Sequence, residues 1–243
     1  MRFRIPLALA SISLLTLCGW VQVPPSEALK APTVSQPAPA PWYESEIRAF
    51  EEADKVSPPA PGQVLFIGSS SVRMWTTLKE DVKPAPVLNR GFGGSRTADV
   101  MEVFDRIVLP YKPSAIVYYC GDNDLGMDNT DSQAVADGFI VFVRRARKEW
   151  PAVQVMYIAI KPSVQRWKNW EAMKKTNEIV REYCEKTPGA TYLDIVTPAL
   201  QADGKPHPST FREDGLHLNA KGYAIWANVI RGPVVEAWEK SKR

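Results

Sequence analysis

The chain has 243 residues, 45% of them hydrophobic and 23% charged, with a formal net charge of +3. That size and composition are ordinary for a globular protein of one large domain or two small ones. The small charge is not gathered into a basic stripe interleaved with aromatics, which argues against a nucleic-acid partner.

The chain opens on MRFR followed by IPLALASISLLTL, a positive start and an apolar run of about a dozen residues, which is the pattern of a secretory signal and is short for a membrane span. Small residues at Ser26 and Ala28 fit cleavage after Ala28, so residues 1–28 read as a signal peptide. The alternative is Cys18, in LTLC, as the lipidated first residue of a lipoprotein, although Leu17 stands where such sites usually take a small residue. The expected location is secreted or periplasmic, with membrane attachment only through a lipid on Cys18 or a retained signal. Residues 29–60 are rich in Pro, Ala and Ser and read as an extended linker with one short helix inside it, WYESEIRAFEEADK. The folded domain is assigned to residues 61–243, with the helix at Trp42 available to pack on it.

From Pro61 onward, short apolar runs alternate with segments of helical period. The runs are QVLFIGSS, PVLNRG, SAIVYYCG, VQVMYIAIK and ATYLDIV, and the intervening segments include ADVMEVFDRIVLPY, DSQAVADGFIVFVRRARKEW and WKNWEAMKKTNEIVREYCEK. This alternation predicts an α/β fold, a three-layer, doubly wound, five-stranded parallel sheet covered on both faces. In such a sheet, ligands bind beyond the carboxyl ends of the strands. Polar and Gly-rich turns gather at those ends: Ser69, Ser70 and Ser71 after the first run, Gly91 to Gly94 after the second, and Gly121 to Asp124 after the third. Cys120 and Cys184 have no spacing signature and are expected as buried thiols rather than a bridge. No CxxC or HxH spacing suggests a metal site, and no cofactor is called for.

The sequence holds only two histidines. His207, in GKPHPST, is flanked by prolines and reads as a surface-loop residue. His217 lies in DGLHLNAKGY, three residues after Asp214. A carboxylate accepting the Nδ1 proton would fix the tautomer and leave Nε2 free to take a proton from a nucleophile. Read alone, the same D-x-x-H also describes a helix start capped by Asp214 or Asn219.

Four short segments together resemble the SGNH hydrolases, the GDSL esterase and lipase family: FIGSSSVRMW, NRGFGGSRTADV, YCGDNDLG and DGLHLNAKGY, in the family's order. The resemblance implies the flavodoxin-like fold of that family and places the nucleophile at Ser70, with Ser71 as the fallback. It places the base at His217, oriented by Asp214, and an oxyanion hole at the backbone N–H of Ser70, the backbone N–H of Gly94 and the side-chain amide of Asn123. Ser69 stands where the family usually has Asp. Val72 replaces the second glycine of a G-x-S-x-G elbow, which disfavours an ordinary α/β-hydrolase. Arg90 and Arg96 flank the Gly-rich turn and are expected to be solvated, with contact to an acidic group as the alternative. Trp75, Trp167 and Trp170 are expected in core or rim packing, with the wall of an acyl or sugar pocket as the alternative.

The leading expectation is an exported serine esterase acting through an acyl-serine on carboxylic esters, short acyl or O-acetyl groups above all, carried by a small molecule, glycan or lipid. The alternatives are lysophospholipase- or thioesterase-type hydrolysis or acyl transfer on the same residues, and a catalytically silent protein that holds a glycan or lipid.

Overall fold

The structure, a computed structural model, describes residues 40–242. The segment read as a signal peptide, its expected cleavage site and Cys18 lie outside the described residues. In chain order, α1 (Glu44–Val56) is followed by β1 (Val64–Gly68), α2 (Ser70–Arg73), α3 (Leu78–Asp81), β2 (Val87–Gly91), α4 (Thr97–Glu102) and α5 (Phe104–Ile107). Next come β3 (Ala115–Tyr119), α6 (Asp122–Met127), α7 (Ser132–Glu149), β4 (Gln154–Ile158), α8 (Trp170–Glu185), β5 (Ala190–Leu193) and α9 (Ala220–Lys240).

The five strands pair in parallel throughout, in the order β2-β1-β3-β4-β5. This is the flavodoxin-like winding, and its change of direction falls between β1 and β3. The central strands β1 and β3 are buried at every position, which is why they read as unbroken apolar runs. Their side chains alternate between two cores. Leu65, Ile67, Ile116 and Tyr118 meet Phe139, Phe142, Met173 and Val180 of α7 and α8 on one face. Val64, Phe66, Val117 and Tyr119 meet Val72, Leu78, Trp226 and Ile230 of α2, α3 and α9 on the other. Each fully buried aliphatic or aromatic side chain of this kind contributes about 1.5–3 kcal/mol relative to exposure.

The helical segment expected over 98–111 is broken into α4, α5 and a 3-10 turn at Leu109–Tyr111. Pro110 lies in that turn, where a residue lacking an N–H cannot extend an α-helix. By contrast, α7 runs as one helix from Ser132, because Asp131 caps it by accepting from the N–H groups of Gln133 and Ala134.

The helix in the Pro/Ala-rich stretch is α1, and it is built into the domain. Tyr43 and Ile47 are buried in the α7/α8-side core. Glu44 and Glu51 clasp Arg106 of α5 at 2.7 Å each, and Asp54 pairs with Arg90 and Tyr111. The compact unit therefore begins at Ala40, where composition placed its start near Pro61. Among the described residues no helix is long and apolar enough to cross a membrane.

Candidate active site

The turn after β1 is set by Gly68, whose φ of +139° favours glycine and where an added Cβ would lie 1.8 Å from the Tyr119 carbonyl oxygen. Ser69 is buried and its N–H donates to the same carbonyl at 3.0 Å, so the chain leaves the sheet sharply and Ser70 begins α2. The side chain of Ser70 is turned toward the last segment before α9. Its Oγ lies 3.0 Å from His217 Nε2, and His217 Nδ1 lies 2.6 Å from Asp214 Oδ2. A carboxylate can only accept, so Nδ1 carries the proton and Nε2 is the acceptor that faces the serine.

Asp214 is held in place by a local turn. Its Oδ1 accepts the N–H groups of Leu216 and His217, both at 2.9 Å, and Gly215 turns the chain at φ +62°. Burial pushes this carboxyl upward, but His217 and the two N–H donors outweigh it and hold it at about 2. Asn219, not Asp214, caps α9, accepting from Lys221 and Gly222. Ser71, the fallback nucleophile, is buried, and its carbonyl accepts the Tyr223 hydroxyl at 2.9 Å.

The other expected residues sit at the ends of β2 and β3, next to that turn. Gly94 has φ +66°, and an added Cβ would meet the Trp42 ring at 3.1 Å. The N–H of the preceding Gly93 donates to Glu46 of α1 at 3.1 Å, which braces the Gly-rich turn from outside the sheet. Asn123 is buried, with Nδ2 donating to the Ser95 carbonyl at 3.0 Å and its second amide proton without a partner among the described residues. Asp124 joins the two turns, accepting the Thr97 N–H at 3.1 Å and its hydroxyl at 2.7 Å.

A family model for the GDSL-like lipase/acylhydrolase family matches residues 67–225. The chain belongs to that family. Membership makes it a carboxylic ester hydrolase of the GDSL type. Solved structures agree on the fold. A GDSL-like lipase from Bacteroides thetaiotaomicron superposes with a TM-score of 0.67 at 17% identity, covering 80% of this chain and 99% of that one. A carbohydrate esterase family 3 protein from Talaromyces cellulolyticus gives 0.62 at 16% identity, covering 74% and 99%. An acetylxylan esterase from Geobacillus stearothermophilus gives 0.59 at 16% identity, covering 72% and 94%. No curated protein sequence matches the chain.

Around the GDSL-family residues lies a buried charged group built on Asp122, within the segment YCGDNDLG, and on two cations that no sequence motif marked. Asp122 accepts from Lys161, from Arg166 Nη1 at 2.5 Å and from the Tyr119 hydroxyl at 3.1 Å. Burial pushes the Asp122 carboxyl up, yet the two cations hold it at about 2. The available signal for the cations was Lys161, a charge at the end of the apolar run VQVMYIAIK. Arg90 corrects the sequence reading. It is buried rather than solvated, because Asp54 and the Tyr111 hydroxyl bond its guanidinium and the Phe50 ring lies 4.9 Å below it. Arg96 is partly solvated and pairs with Asp128.

Trp75 is a core residue, stacked on Tyr223 at 5.4 Å. Trp167 and Trp170 stack on each other at 5.9 Å, with Trp170 in the core. His207 is exposed, and its Nδ1 accepts from the Ser209 N–H at 3.3 Å. Cys120 and Cys184 are free and buried, and burial pushes the Cys184 thiol up to about 12.

Proposed function

We propose that this esterase works through Ser70, His217 and Asp214 and removes short acyl groups, O-acetyl groups above all, from an exported or envelope glycan. The observation that carries the reading is the continuous chain Ser70 Oγ to His217 Nε2 at 3.0 Å and His217 Nδ1 to Asp214 at 2.6 Å. A serine hydroxyl is a weak nucleophile at neutral pH and gains reactivity when a base takes its proton as it attacks.

In the first half-reaction Ser70 Oγ bonds to the ester carbonyl carbon while His217 Nε2 takes the hydroxyl proton. The carbonyl oxygen becomes an anion, received by the N–H groups of Ser70 and Gly94 and the amide of Asn123. Collapse of this intermediate expels the alcohol, which leaves with the proton from His217, and the acyl group stays on Ser70. Water then attacks the acyl-serine with His217 as base, and the carboxylic acid departs with the serine restored. Asp214, held at about 2, stays anionic throughout and stabilises the imidazolium that forms in each half.

Two features support a short acyl group on a sugar. Structural neighbours include an acetylxylan esterase and a carbohydrate esterase family 3 protein. Trp42 is 54% exposed with its ring beside Gly94, so a solvent-accessible aromatic side chain stands next to the Gly-rich turn, where a sugar could pack on it. Export rests on the positive, apolar leader.

The test is hydrolysis of p-nitrophenyl acetate, butyrate and decanoate, and release of acetate from acetylated xylooligosaccharides, by the wild-type chain and Ser70→Ala. Activity that falls with acyl length and disappears in Ser70→Ala is the expected result. Preference for decanoate overturns the short-acyl reading, and activity persisting in Ser70→Ala overturns the nucleophile. Added acceptor alcohols report acyl transfer as new ester product.

A further inference from the structure

The loop after β4 touches both halves of the proposed machinery. Arg166 is 8% exposed, and its Nη2 donates to Asn123 Oδ1 at 2.9 Å while Nη1 donates to the Asp122 carbonyl at 2.7 Å and carboxylate at 2.5 Å. One residue earlier, the Gln165 N–H donates to the carbonyl of Gly215, inside the Asp214–His217 turn, at 3.0 Å. The loop is fastened from below by Ser163, whose Oγ accepts the Arg166 N–H at 3.3 Å. Gly126 of α6 makes room for the guanidinium: an added Cβ there would lie 2.4 Å from Arg166 Cδ and 2.6 Å from Nε.

We propose that Arg166 is a positioning residue for the oxyanion site, fixing the direction of the Asn123 amide and strengthening its N–H as a donor. The proposal rests on the reading of Asn123 as an oxyanion donor. A guanidinium only donates, so it holds Oδ1 and turns the amide nitrogen the other way; a flipped amide would set donors against donors. The cation also draws electron density from the amide, so the N–H facing the developing anion becomes a stronger donor, and in a buried site that gain is weakly screened. One carboxylate, Asp122, serves both Lys161 and Arg166, so the guanidinium keeps positive charge where it meets Asn123.

The experiment measures kcat and KM on p-nitrophenyl acetate for Arg166→Met, Arg166→Lys, Asn123→Ala and the Arg166→Met/Asn123→Ala double variant, with folding followed by circular dichroism. Loss of a whole oxyanion donor costs about 10²–10³ in kcat, and a misdirected donor loses part of that, so Arg166→Met is expected to lower kcat by about 10- to 100-fold with KM within about twofold. Arg166→Lys recovers part of the loss. In the Asn123→Ala background Arg166→Met has no further effect on kcat, because the group it positions is gone. An equal fractional loss in both backgrounds, or a loss confined to KM, overturns the proposal. If Asn123→Ala itself keeps full kcat, the oxyanion reading of Asn123 fails instead. Should Arg166→Met not fold, Gly126→Ala displaces the guanidinium without deleting it, and the same non-additivity with Asn123→Ala is expected.

Discussion

Ser70 Oγ and His217 Nε2 meet at 3.0 Å across 147 residues of chain, at a point where a strand end faces a turn before the last helix. Ser71, next to Ser70, is buried with its carbonyl bonded to Tyr223, and of the two serines it is Ser70 whose hydroxyl hydrogen-bonds His217. Ser70→Ala is expected to lower kcat for p-nitrophenyl acetate by about 10⁴-fold or more, the scale of nucleophile loss in serine hydrolases. Ser71→Ala keeps most of the activity. Active-site titration with a fluorophosphonate checks both, labelling Ser71→Ala and leaving Ser70→Ala unlabelled.

Asp214→Asn replaces an acceptor by an amide that can present a donor to Nδ1, which favours the wrong tautomer. Loss of a buried triad aspartate in this way costs about 10⁴ in kcat. The Asp214 side chain is 43% exposed, so water shares its role, and the expected loss lies below that figure. Comparison of kcat for Asp214→Asn and Asp214→Ala is the check: Ala, which lets water in, is the less damaging of the two.

The pH dependence of stability follows from two carboxylates held at about 2, Asp122 and Asp214, against an ordinary value of 3.8. A folded value below the unfolded one means that the stabilisation is fully present above about pH 4. It is lost as pH falls through the folded values near 2. Urea unfolding is therefore expected to be flat in this contribution above about pH 4 and to weaken between about pH 4 and 2. Asp122→Asn leaves Lys161 and Arg166 buried without their counter-charge, and the expected cost at neutral pH is about 3–5 kcal/mol. The same variant loses part of the acid sensitivity.

Gly94 occupies φ +66° with the Trp42 ring against it. Gly94→Ala is expected to cost about 1–2 kcal/mol from backbone conformation and to lower kcat by shifting the N–H assigned to the oxyanion. Thermal melts and kcat on p-nitrophenyl acetate, compared with Gly204→Ala, check this. Gly204 has φ +74° and open space around it, so that variant shows the backbone cost alone.

Ile47 of α1 is fully buried, and Ile47→Ala is expected to destabilise the domain by about 2–5 kcal/mol. Urea titration checks the value. A change below about 0.5 kcal/mol would mean that α1 is not part of the cooperative unit.

The fold was legible because β1 and β3 are buried on both faces and so read as unbroken apolar runs. Asp214 and His217 were legible because their interaction is local, a single turn in sequence. Ser70, Gly94 and Asn123 were read through the family resemblance and the placement of their turns at strand ends. What stayed hidden was long-range and charged. Arg166 bonds Asn123 from 43 positions away, and Arg90 finds Asp54 from 36 positions away, with no spacing rule to announce either pair. Composition likewise placed α1 in a linker, since the prolines and alanines that flank it are visible in sequence and the pairing of Arg106 with Glu44 and Glu51 is not.

Glu46 holds the Gly93 N–H and Trp42 covers Gly94, yet both precede the stretch matched by the family model. The Gly-rich turn is thus braced by residues outside the matched stretch, while Ser70, Asp214 and His217 all lie inside it. Changes at Trp42 or Glu46 therefore act on the Gly-rich turn from outside and leave the Ser70, His217 and Asp214 contacts themselves unaltered.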